Sequence, residues 1–438
     1  MAYDNTWIDE KCDRYDYLIS VFSGITTGMI DIFFVGNPTS SSLGNFTDKQ
    51  VDTLVKKFAK YVGWSPREGK EDSIASAIGF LEKKFVVNYD QAHTTAVGGA
   101  FNMAPINHHF KSLSHCPDIV GLFFSILDQF QGKSTFLNNG DLIRIDTETQ
   151  ALYGSNMIQK IFCGFYNWLG HIMSDIAGSS GSRGNVNSRG SGIPIPFMEL
   201  FQLCDFGSFQ VKENRYTLAE VMVQVFQQGY DFRFGLTMSI PVILNELIIR
   251  MFWVIRRRFF YKRDWADCIP TEKYSDLRVM LIVGHATFCV IDGTDAFIHS
   301  NGNIVLFILR LNIIGWLRFI ILIFKELRIR YGDKIKELLS RFLNEIKYIL
   351  SYGEYKLINE YNLRIAEFDK KINILFREFV ETLEKEYKIF HTELESSFDQ
   401  TLSLEEQILH SVKVAQLRGV SDNKIIKTKK DLDDFFLK

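Results

Sequence analysis

Residues 17–36, YLISVFSGITTGMIDIFFVG, are apolar at nearly every position and carry the small residues Ser23, Gly24 and Gly28. This pattern predicts a closely packed helix with one acid, Asp31, inside it. Comparable apolar runs recur at 235–255, 279–298 and 303–327, and shorter ones within 106–130 and 164–177. Between them the period changes. FTDKQVDTLVKKFAKYVGW and EDSIASAIGFLEKKF place apolar residues every three or four positions, which predicts amphipathic helices in a soluble insertion over 37–105. Asn138-Asn139-Gly140 followed by LIRIDTET predicts a β-hairpin near 136–150. From 328 onward Leu, Ile and Phe recur at helical spacing among Lys and Glu, as in long exposed helices or a coiled coil.

Five of the apolar segments approach spanning length, yet each holds an acid, a histidine or an arginine. An acid at the centre of a membrane helix costs about 2.5–3.5 kcal/mol on insertion scales, so such residues are rarely idle. The pattern predicts a mainly α protein: a multi-pass helical membrane bundle with small soluble insertions and a long helical C-terminal extension. Its expected segments are 1–36, 37–105, a membrane core over 106–327 with a Gly/Ser loop at 178–192, and 328–438. The basic cluster Arg256 to Arg263 beside an apolar helix end places that loop and the C-terminal region in the cytoplasm if the helix spans.

Composition removes several alternatives. A net charge of −2 leaves no electrostatic footprint for nucleic acid. The six cysteines are scattered without a C-x-x-C pair, which argues against a zinc ribbon or disulfide scaffold and fits a reducing compartment. The N-terminus has no signal-peptide character. Gly132-Lys133-Ser134-Thr135 lacks the upstream glycine and strand of a phosphate loop.

The remaining chemistry lies in histidines and acids. His171 and Asp175 are four apart, on one face of an otherwise apolar helix that breaks into the Gly/Ser run and restarts as Ile-Pro-Ile-Pro-Phe. They could be two ligands of one metal, a ligand with its orienter, or a buried histidine satisfied by a neighbouring acid. His108, His109 and His115 fall within eight residues just before an apolar helix, with Lys111 between them. His285 and Asp292, seven apart, share another helical face, with Asp295 nearby.

Three of these constellations together resemble the bacterial inner-membrane metal-dependent hydrolases of the LexA-regulated type. In that family an early membrane helix ends in a small-residue/Asp motif, a His-Arg-x-x-Thr-His-Ser segment opens a later helix, and a Gly-x-x-x-His-x-x-x-Asp helix precedes a Gly-[IV]-Pro-x-x-x-Pro-Phe-like segment. Gly28 to Gly36 with Asp31 is similar to the first. His109 to His115, with Lys111 in the basic place, is similar to the second. Leu169-Gly170-His171 and Asp175, followed by Gly192 to Phe197, are similar to the third. The likeness covers about residues 20–200. It departs where Ile32-Phe33 replace an acid and a histidine, and where 37–94 and 180–190 are inserted.

The resemblance implies that His115, His171 and Asp175, with Asp31 and His108 or His109, hold a divalent metal, zinc or manganese, at the membrane face. It implies hydrolysis of a phosphoester or amide, possibly lipid-linked, with Asp175 and Lys111 as catalytic residues and Lys111 steadying an anionic substrate. The competing class is a non-enzymatic membrane scaffold or defence-type protein that self-associates or recruits a partner through 328–400. A channel or transporter comes third. A shared metal requires the His115 and His171 rings to come within about 4 Å of each other, from two 2.0–2.1 Å metal–nitrogen bonds.

Overall fold

The protein is described by a computed structural model. It describes residues 7–436 apart from 70–71, 91–102, 104–105, 148–151, 153, 155–156, 179–191, 208, 212–213, 302, 333–340, 342–354, 418–419 and 421. The chain is mainly helical, at 71%. In chain order the helices are α1 (Arg14–Ile30), α2 (Ser42–Tyr61), α3 (Ile74–Lys84), α4 (Ile119–Gln131) and α5 (Met157–Ile176), then α6 (Leu218–Gln227), α7 (Phe232–Ile255) and α8 (Ser275–Ser300). They continue as α9 (Ile304–Arg310), α10 (Ile313–Tyr331), α11 (Tyr355–Ser397), α12 (Leu404–Leu417) and α13 (Lys429–Phe436). The strands form two antiparallel hairpins, β1 (Lys133–Asn138) with β2 (Asp141–Asp146), and β3 (Phe209–Val211) with β4 (Asn214–Tyr216). Two compact units result: residues 1–57 with 204–359, and residues 58–203 with 360–438. The predicted boundary at 105/106 separates neither.

The first unit is built on α1, α7 and α8. A Cβ added at Gly24 would lie 2.4 Å from the Gly284 carbonyl, so α1 and α8 meet backbone to backbone and only glycine fits. Ile249, Trp253, Leu277, Met280 and Leu281 fill the space between α7 and α8. The outer faces are apolar too. On α1, Leu18, Phe22, Ile25, Met29 and Phe33 recur at helical spacing and are 40–70% exposed. Small and polar residues inward with large apolar ones outward is the arrangement a lipid solvent favours.

Among the described residues, three helices, Arg14–Val35, Phe232–Phe260 and Ser275–Ser300, are long and apolar enough to cross a membrane. That is fewer than the five segments expected. The run at 303–327 is interrupted at Asn312, whose side chain caps α10 by accepting from Gly315 N. The run within 106–130 yields α4, only 13 residues long, and that within 164–177 becomes part of α5; both belong to the second unit. The cluster beginning at Arg256 is partly neutralised. Arg256 pairs with Asp13 and Asp16, and Arg257 with Glu10 and Asp276, tying the end of α7 to the segment before α1 and the start of α8.

The second unit is organised around α4 and α5. Asp118 opens α4 by accepting from Val120 N and Gly121 N, and Gly132 closes it in the left-handed region. The hairpin forms as predicted but starts earlier, pairing Lys133 with Asp146. Asn139 and Gly140 both have positive φ, which the tight turn requires. Gly170 on α5 is compelled by packing, because a Cβ there would lie 2.2 Å from the Phe85 ring.

The charged C-terminal region is not a separate body. Phe368, Ile372, Leu375 and Phe379 of α11 pack on Leu113, Phe124, Leu127 and Leu137, so the helical stripe read as exposed or coiled-coil-like is taken up inside the same unit. Lys160 also pairs with Glu386 at 3.7 Å. The Gly/Ser loop predicted at 178–192 lies, apart from its ends, outside the described residues.

Candidate metal centre

The second unit brings four imidazoles and two carboxylates together from three stretches of chain. His108 and His109 lie on a single helical turn, His108–Lys111, and His115 ends a 3-10 turn, Leu113–His115. His171 and Asp175 sit one turn apart near the end of α5. Asp90 follows α3 on a short loop. Asn88 pins this loop by donating to the carbonyls of Asp128 (3.0 Å) and Lys133 (2.9 Å). Tyr89, fully buried, stands edge-on to the rings of His115 and His171, with centroids 5.1 and 5.9 Å away.

The donor atoms converge. His171 Nε2 lies 3.3 Å from His115 Nε2 and 3.4 Å from Asp175 Oδ2. Asp175 Oδ2 is also 3.6 Å from His109 Nε2 and 4.0 Å from His115 Nε2. Charge-assisted hydrogen bonds are shorter, about 2.7–2.9 Å. Two donors on one tetrahedral ion with 2.0–2.1 Å bonds sit about 3.3 Å apart, so the observed spacings are those of a coordination shell. Asp175 Oδ2 and His109 Nε2, both buried, make no hydrogen bond.

The far ring nitrogens of His109 and His115 have polar partners, whereas His171 Nδ1, also buried, makes no hydrogen bond. His109 Nδ1 donates to the Gly192 carbonyl at 3.1 Å, which leaves the Nε2 lone pair facing inward. His115 Nδ1 lies 2.9 Å from Ser112 Oγ. The turn carrying His115 is anchored through buried Asp128, which accepts from Ser114 Oγ (2.6 Å), Thr135 N (2.8 Å) and Thr135 Oγ1 (2.6 Å). Burial pushes the Asp128 carboxyl up to about 6 despite these donors.

Electrostatics in the cluster fit neutral ligands awaiting a cation. Burial lowers His109, His115 and His171 from the ordinary histidine range, and the neighbouring imidazoles add to this. Burial also raises Asp175 well above its usual value, reinforced by Asp90 and Glu82. A bound divalent ion would reverse that balance by its own charge. His109, His115, His171 and Asp175 are all at most 3% exposed, whereas the Asp90 side chain is 44% exposed. Among these described donors, Asp90 is the exposed one.

The expected residues therefore divide. His108, His109, His115, His171 and Asp175 are brought together, and the His115–His171 distance lies inside the limit set by a shared ion. Asp31 is not among them. It belongs to the first unit, where its carboxylate accepts from Asn312 Nδ2 at 2.6 Å, and Asp90 supplies the acid in its stead. Asp90 carried little signal, standing after an amphipathic segment in VVNYD with no histidine partner nearby in sequence. Lys111 is corrected as well. Its buried ammonium donates to Asn138 Oδ1 at 2.7 Å and holds the hairpin tip. His285 and Asp292 both lie in α8 of the first unit.

Among known protein families, curated proteins and solved structures, none matches this chain.

Proposed function

We propose that this protein is a membrane-associated, metal-dependent hydrolase acting on a phosphoester or amide, possibly lipid-linked, with zinc or manganese held by His109, His115, His171 and Asp175. The observation that carries this reading is the convergence of four donor atoms, from two stretches of chain, at 3.3–4.0 Å, longer than charge-assisted hydrogen bonds. Three helices fit to cross a membrane support the location. When bound, such an ion lowers the pKa of a coordinated water toward neutrality. The chain's own part is to fix the His109 tautomer through the Gly192 carbonyl, to hold the His115 ring through Ser112, to exclude bulk water with Tyr89, and to leave the Asp90 side open to substrate.

Burial of all four donors also favours a second reading, a structural metal that staples α5 to the histidine turns. Metal content and hydrolysis of the detergent-purified protein separate the two. The hydrolase reading expects bound metal and hydrolysis of phosphoesters or amides that Asp175→Asn abolishes while the fold persists. Bound metal with no hydrolysis of either class would leave the staple. No bound metal would sink both.

A further inference from the structure

Six donors are more than one tetrahedral ion takes, and the two left over sit together. His108 Nε2 lies 3.4 Å from Asp90 Oδ1, again too long for a charge-assisted hydrogen bond and close to the spacing of two ligands on one ion. The pair is contiguous with the buried set. The donor atoms of His108, His109 and His115 lie within 4.8 Å of one another, as do those of Asp90, His115 and His171. Two-metal hydrolytic centres hold their ions about 3.5–4 Å apart, which donor sets this close permit.

We infer that Asp90 and His108 bind a second divalent cation beside the buried one, giving a two-metal centre whose outer ion faces solvent and binds a phosphate oxygen. This rests on the metal-dependent reading above and sharpens it. The inner ion has four protein donors and a closed shell. Among the described residues the outer one has two, which leaves positions for water and substrate. Charge selects the substrate class. Four neutral imidazoles and two carboxylates leave two divalent ions with a net charge of about +2, which a phosphate ester neutralises and a neutral amide does not.

The test is metal stoichiometry on the full chain. The detergent-purified protein is stripped with a chelator, reloaded with Zn²⁺ or Mn²⁺, freed of loosely held ion and assayed for metal. Two ions per chain are expected. Asp90→Asn and His108→Ala should each halve that, with the unfolding temperature of the loaded protein kept near wild type. With Mn²⁺, the wild type should give the spin-coupled paramagnetic resonance spectrum of an ion pair, and inorganic phosphate should perturb it. His108→Ala should give an isolated-ion spectrum that phosphate leaves unchanged. One ion per chain in the wild type, or two retained in both variants, would overturn the second site and leave the buried one standing. No bound ion would overturn the buried centre and this inference with it.

Discussion

Both units bury acids among apolar helices, and Asp31 in the first is treated differently from Asp175 in the second. In the first, Asp31 accepts from Asn312 Nδ2 at 2.6 Å, and Asp292 accepts from Trp316 Nε1 at 2.7 Å and Asn312 N at 3.1 Å. Ser23 Oγ donates to Asn245 Oδ1 at 2.7 Å. Around Asp31 and Asp292 the polar groups meet at hydrogen-bond length, whereas Asn245 Nδ2 and both ring nitrogens of His285, buried in the same unit, make no hydrogen bond. In the second, Asp175 and three imidazoles face one another at 3.3–4.0 Å. A buried polar group left at that distance is costly unless something else satisfies it. Hydrogen-bond closure around Asp31 fits a packing role, and the convergence of histidines on Asp175 makes a candidate metal site.

The largest effect should come from breaking the open set. Removing metal by chelation, or substituting His171→Ala, should lower the second unit's stability by about 4 kcal/mol or more, the linkage expected for an ion present at 1,000 times its dissociation constant. Asp31→Asn should leave bound metal unchanged. Thermal unfolding with and without chelator, alongside metal analysis, reads both. Loss of metal in the Asp31 variant would erase the contrast.

The next effect concerns what encloses the second unit. Leu375→Ala on α11 removes a buried side chain from the cluster around Phe124 and Leu127, at a cost of about 2–5 kcal/mol. Metal retention after mild heating should fall with it. A variant that keeps wild-type stability would restore the view of 328–438 as an independent tail.

How much of this was legible follows the range of the interactions. The hairpin turn could be read from Asn139-Gly140 because two adjacent residues with positive φ decide it. The His171–Asp175 pair could be read because one helical turn fixes it. The small-residue face of α1 was visible as Gly24 and Gly28, although their partner α8 was not. Asp31 was misassigned because an acid in an apolar helix signals only that it needs a partner, and nothing local names that partner. Asn312 is 281 residues away. Asp90 was missed for the converse reason, since its place depends on Asn88 reaching α4 and the hairpin. The stripe of α11 was correctly helical, but periodicity does not say what covers it.

The closed network should give a smaller effect than the open one. Asn312→Ala removes a donor to Asp31 and the cap of α10, and should cost about 1–3 kcal/mol, the desolvation penalty of one unmet buried group. Thermal unfolding in detergent measures it, and metal content should not move. A loss as large as that of His171→Ala would mean that hydrogen-bond closure does not distinguish the two regions.

A pH slope should come from one buried acid of the second unit. Glu199 is buried and its carboxyl is pushed up to about 8, first by that burial and then by the neighbouring charge of Asp118. Between the ordinary glutamate value near 4.5 and about 8, the folded chain holds a proton that the unfolded chain has released. More protons bound in the folded state means that stability falls as pH rises across that window and levels off above it. The steepest loss is about 1.4 kcal/mol per pH unit. Glu199→Gln keeps the shape without the charge, so its stability should be flatter from pH 5 to 8 and should exceed that of wild type at pH 8. Denaturant unfolding at both pH values, on metal-saturated protein so that ligand protonation does not intrude, gives the two slopes. Equal slopes would show that Glu199 reaches solvent or a partner when ionised, and that burial alone does not set the fate of an acid in this unit.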